Sequence, residues 1–160
     1  MAKNLRRIVL SGLAVILLLG LLIQVVPYGR AHDNPPVIAE PQWDTPHTRD
    51  LFFQTCGDCH SNQTTWPWYS NIAPVSWLVQ HDVEEGRSVL NVSQWGVGRN
   101  EGDDAAEVIQ NGEMPPPIYI ITHPSANLSA TDKQALIKGL TASFGGEYES
   151  EGHETEHDDD

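Results

Sequence analysis

Hydrophobic residues run almost without interruption only once along the chain. Between Ile8 and Val26, nineteen residues include just two polar side chains, Ser11 and Gln24. As a helix they would extend about 28 Å at 1.5 Å per residue, close to the hydrocarbon thickness of a bilayer. Pro27, Gly29, Pro35, Pro36, Pro41 and Pro46 then interrupt the chain too often for a helix and predict an extended tether over 31–47. Beyond it the apolar positions recur at helical spacing. Thr48 is placed to cap a helix to Thr55 that buries Leu51 and Phe52. Pro74 opens a second helix to about Leu90, with Val75, Leu78, Val79 and Val83 on one side. A third starts at Asp103 or Asp104 and ends near Asn111 and Gly112. In the last, Ser129 and Asp132 form a capping box, Leu136, Ile137 and Leu140 make the stripe, and Gly145 and Gly146 stop it. No stretch alternates as a strand would. The prediction is an all-α domain with two long loops, at 61–73 and 112–128.

Charge divides the chain in the same places. Residues 1–30 carry Lys3, Arg6, Arg7 and Arg30 and no acid, whereas residues 147–160 carry eight acids and no base, within a net charge of −13. The resulting organisation is a transmembrane signal-anchor over 1–30, the tether, a small helical domain over 48–146 and a disordered acidic tail over 147–160. A cleaved signal peptide, with Gly29 and Ala31 at the small positions of a cut, is the competing reading of the first segment. An apolar run longer than the usual 7 to 15 residues favours the anchor. The basic residues before it place the rest of the chain on the periplasmic or extracytoplasmic side of a bacterial cytoplasmic membrane. So acidic an exported surface excludes nucleic acid as a partner. His153-Glu154-Thr155-Glu156-His157 matches a zinc-protease pattern, but it lies in the tail without the helix that pattern needs.

Both cysteines fall in Cys56-Gly57-Asp58-Cys59-His60. Two thiols at this spacing can each add to one porphyrin vinyl group, and the adjacent imidazole then ligates the iron. A redox disulfide lacks its strand-to-helix context, and a zinc site lacks further cysteines. The expected cofactor is therefore one haem c, covalent through Cys56 and Cys59, with His60 on the iron. For the sixth position Met114 is favoured, because Pro115, Pro116 and Pro117 stiffen its loop and lower the entropy cost of presenting the sulfur. His81, His123 or an open position are the alternatives. Trp66, Trp68, Tyr69 and Trp77 offer apolar mass to pack on a porphyrin, and their N–H and O–H groups, with Arg87 and Arg99, are candidates to reach its propionates.

The run from Cys56 to Trp95, with Trp66-Pro67-Trp68-Tyr69 and Pro74-Val75-Ser76-Trp77 inside it, is similar to the bacterial haem-binding domain family, as are Met114-Pro115-Pro116, Tyr119, His123-Pro124 and Leu128-Ser129. The resemblance spans roughly 45–145 and implies a small cytochrome-c-like fold around a covalent haem and a redox role. It also implies redox partner proteins, di-haem peroxidase-like ones among them. An aromatic expected near the end of the last helix is replaced around Gly139-Leu140. Together these readings predict a membrane-anchored monohaem c-type cytochrome that transfers electrons and is not an enzyme. The alternative is a haem sensor or peroxidase-associated module with a displaceable sixth ligand.

Overall fold

The computed structural model describes residues 2–97, 100 and 102–145. Arg99 and the acidic tail with its two histidines lie outside them. The described elements are helical: α1 (Ala2–Ile23), α2 (Pro46–Thr55), α3 (Gly57–His60), α4 (Val75–Val89), α5 (Ala105–Gln110), α6 (Pro117–Thr122) and α7 (Ala130–Phe144). One-turn 3₁₀ helices cover Trp68–Asn71 and Pro124–Ala126. An isolated bridge between Ala39 and Gln94 is the only extended pairing among the described residues. The architecture is all-α, with one N-terminal helix long and apolar enough to cross a membrane.

The residues gather into two compact units, each drawn from two stretches of chain, and the chain crosses between them at Glu40–Pro41, Cys56–Gly57 and Asn100–Glu101. The first unit holds α1, α3 and α4. Its core includes Ala73, Val83, Leu90 and Val92. The second holds α2, α5, α6 and α7 around Leu51, Phe52, Ala106, Ile109, Leu136, Ile137 and Leu140, each 5% exposed or less. Burying one such aliphatic or aromatic side chain stabilises by about 1.5–3 kcal/mol. Trp43, Phe53 and Phe144 extend this core, with ring centroids 5.2, 6.0 and 6.2 Å from Phe52.

Local chemistry explains where the helices begin and end. The predicted capping box of α7 is present: the Ser129 hydroxyl accepts from the Asp132 N–H at 3.1 Å, and Gly145, at φ +85°, ends the helix. The start of α2 differs from the prediction. Its cap is Thr45, whose hydroxyl accepts from the Thr48 N–H at 3.1 Å, because Pro46 suits the first helical position and lets the helix begin two residues early. Thr48 is instead buried against Gly139, where an added Cβ would collide with its side chain. The missing aromatic on α7 thus has a reason: α2 packs too close to allow one. The loop at 112–128 also differs, since Pro117 starts the helical turn α6 within it.

The segment expected to be a stand-off tether is extended, but it is bonded along the first unit. The Ile38 N–H donates to the Ser93 carbonyl at 2.8 Å, and the Trp95 N–H to the Ala39 carbonyl at 3.0 Å. The amide of Asn34 donates to Thr64 O at 2.9 Å and that of Asn62 to Pro36 O at 3.0 Å. Prolines leave an extended segment with fewer donors, and these amides and backbone groups supply the contacts.

Candidate haem site

The pentapeptide starts as α2 ends. Cys56 is the C-cap of α2, its N–H donating to Phe52 O at 2.7 Å, and Gly57 to His60 form the single turn α3. So short a helix needs its ends satisfied from nearby, and the residues after it do this. The Ser61 hydroxyl donates to Gly57 O at 2.7 Å and the Thr64 hydroxyl to Asp58 O at 2.6 Å, while the Thr65 N–H donates to the Asp58 carboxylate at 2.8 Å.

His60 is oriented by its backbone surroundings. Its Nδ1 lies 3.1 Å from the Leu90 carbonyl, which only a protonated nitrogen can satisfy, so Nε2 carries the free lone pair. Burial lowers the imidazole pKa below its usual value, against the carbonyls of Leu90 and Gly86, which act the other way. A neutral ring with Nδ1 anchored is the form that ligates a metal. The Cys59 thiol is pushed up to about 12, first by burial and then by Asp82 and Asp58. Neither cysteine is in a disulfide, and both are half-buried.

Against this turn α4 packs at Gly86, where an added Cβ would stand 2.6 Å from Cys59 O and 2.9 Å from Cys59 Cβ. The motif search passes over Gly86. Its signal is a glycine inside a helix, which costs about 1 kcal/mol relative to alanine and marks a close approach. Asn62, Asn91 and Ser93 form a second buried feature behind the turn: the Asn91 amide donates to Asn62 Oδ1 at 2.8 Å, and the Asn62 N–H to the Ser93 hydroxyl at 2.9 Å. No local pattern announces a pair 29 residues apart in the chain.

The predicted propionate contact Arg87 is engaged with protein acceptors. Its guanidinium donates to Ser61 O at 2.8 Å, and to Asp33 O, Asn34 Oδ1 and Thr64 Oγ1 at 2.9 Å each. These bonds join the segment after the motif to the extended segment before α2. The aromatic cluster is also more dispersed than expected. Trp66 stacks on His32 at 4.6 Å, whereas Trp68 is 76% exposed and meets only the edge of Tyr69 among the ring contacts.

Met114 belongs to the second unit and is held by its backbone, the N–H donating to Val108 O at 3.2 Å just after the turn at Gly112. It lines an open cavity of about 140 Å³ with Thr55, Ile109, Pro115, Leu128 and Leu136. That volume is below the roughly 300–1,000 Å³ of small-molecule sites, and the walls are mostly apolar. Of the two alternative ligands, His81 is exposed and lies 3.4 Å from Glu85, and His123 stacks on Tyr119 at 4.1 Å with Nδ1 3.0 Å from Thr122 Oγ1.

Each unit leaves buried polar groups that a ligand can complete. The indole nitrogens of Trp66 and Trp77 and the hydroxyl of Thr55 are buried without a hydrogen-bond partner. Burying a polar group without a partner costs about 1–3 kcal/mol, so such groups mark places where a ligand can complete the bonding. In the second unit an apolar ligand suits the cavity walls; in the first, a carboxylate would complete the two indole donors. A family model described as "Haem-binding domain" matches residues 18–142. No curated protein and no solved structure matches the chain.

Proposed function

The chain belongs to the haem-binding domain family, and from that premise we propose that it is a monohaem c-type cytochrome, anchored by α1, that passes electrons on the extracytoplasmic side of a membrane. The observation that carries this reading is the pentapeptide Cys56–His60 in a haem-binding chain whose two thiols both lie within it. Cys56 and Cys59 would hold one haem by thioether bonds, His60 would ligate the iron through Nε2, and Met114 would complete the coordination. Bound haem would supply a one-electron couple, whose potential a His and Met ligand pair would raise.

The chain's own residues orient and shelter that group. The Leu90 carbonyl fixes the His60 tautomer, Gly86 lets α4 close on Cys59, and the Val108 carbonyl holds the backbone of Met114. Were His60 and Met114 both to hold the iron, they would leave no seat there for peroxide or oxygen, and the protein would carry electrons without acting as an enzyme. Its partners would be other redox proteins. Lys3, Arg6 and Arg7 in the first turns of α1, ahead of its apolar run, favour a cytoplasmic N-terminus.

The test is the reduced absorption spectrum with and without carbon monoxide. The parent should keep its spectrum, whereas Met114→Ala should bind carbon monoxide and show a lower midpoint potential. A parent that binds carbon monoxide readily would instead support the haem-sensor reading, with a displaceable Met114. A Met114→Ala protein identical to the parent would remove Met114 as a ligand.

A further inference from the structure

Within the first unit, near the end of α1, a row of apolar side chains is left in the open. Trp68 is 76% exposed, Leu78 49%, Ile72 46% and Val75 42%. They occupy one short stretch, from the 3₁₀ turn through Ile72 to the first turn of α4, and Val75 and Leu78 are three residues apart on one helix face. This stretch is tied directly to the end of the apolar helix. Gln24, the residue after α1, donates through Nε2 to Ala73 O at 2.8 Å and accepts through Oε1 from the Ala73 N–H at 3.0 Å. Gly29 is buried so close to the Ser76 carbonyl that no Cβ fits, and the Tyr28 hydroxyl donates to Glu84 at 2.9 Å. Three ties within six residues leave no slack between α1 and α4.

We propose that Trp68, Ile72, Val75 and Leu78 form a membrane-seating edge that rests in the headgroup and upper acyl region of the bilayer. The proposal builds on the reading that α1 spans that bilayer. Gln24 is the first polar side chain after the apolar run from Leu13 to Ile23, so it marks the depth at which the hydrocarbon ends. Ala73, bonded to it twice, shares that depth, and the exposed residues flank Ala73. Indole rings favour this zone, where an apolar body and a polar N–H can both be satisfied. α4 carries Asp82, Glu84 and Glu85 against a single Arg87, so the contact is apolar and does not need anionic lipid.

The experiment uses full-length, haem-loaded protein at one copy per phosphatidylcholine nanodisc, with a nitroxide at Ile72→Cys. References are Leu17→Cys within α1 and Ser88→Cys near the far end of α4, about 20 Å along the helix from Val75. Electron paramagnetic resonance then compares access by oxygen, which concentrates in lipid, with access by a water-soluble nickel chelate. The Leu17 label should show high oxygen and low nickel access, and the Ile72 label an oxygen-to-nickel ratio several-fold above that of Ser88. Trp68→Cys should give the same result and serves if the Ile72 variant folds poorly. A Leu17 label in hydrocarbon with an Ile72 label as wet as Ser88 overturns the seating edge and leaves the span standing. A Leu17 label in water overturns both. An Ile72 label shielded from both relaxants means that protein covers the edge, which also overturns the proposal.

Discussion

Arg87 shows what a residue can reveal from sequence and what it cannot. As one of few bases in an acidic domain it stands out, and that leads to a charged partner such as a propionate. In the structure its fork spans four oxygens on two segments, a geometry set by residues 23 to 54 positions away. Arg87→Lys keeps the charge but cannot reproduce the planar fork. It should destabilise the protein by about 1–3 kcal/mol, with faster amide exchange centred on Ser61 to Thr64. Unchanged exchange there would show that the strut carries no energy. The pentapeptide is legible for the opposite reason: its chemistry is local, and spacing alone expresses it. The role of Leu90 is not legible, because a backbone carbonyl 30 residues from His60 orients that ring.

At the scale of elements, legibility follows how local the determinants are. α7 is readable because its cap, stripe and terminating glycine all lie within its own sequence. α3 and α6 are not, since a one-turn helix has no periodicity and the prolines around α6 look like loop. Gly86 in α4 offers a test in which two effects oppose each other. By intrinsic propensity, Gly→Ala in a helix stabilises by about 1 kcal/mol. By packing, the new methyl would strike the backbone of Cys59, a collision that costs typically 1–3 kcal/mol. The contact lies on backbone that cannot easily move, so packing should win: Gly86→Ala should lower the denaturation midpoint in urea. A raised midpoint would mean that α4 does not close on α3 as described.

For the whole molecule, the all-α class and the apolar N-terminal helix follow from composition and period, whereas the placement of residues 31–40 does not. Proline-rich sequence specifies an extended backbone but not what that backbone lies against, and here it lies along the first unit. Nor does hydropathy predict the crossing between units inside the pentapeptide, at Cys56–Gly57.

The central proposal is covalent attachment of one haem through Cys56 and Cys59, and intact-mass measurement of the fully denatured protein tests it most directly. The account predicts that the purified chain carries the added mass of one haem that survives denaturation and acid extraction, and that Cys56→Ala combined with Cys59→Ala carries none. A parent chain that releases its haem on denaturation, leaving the mass of the polypeptide alone, would contradict it.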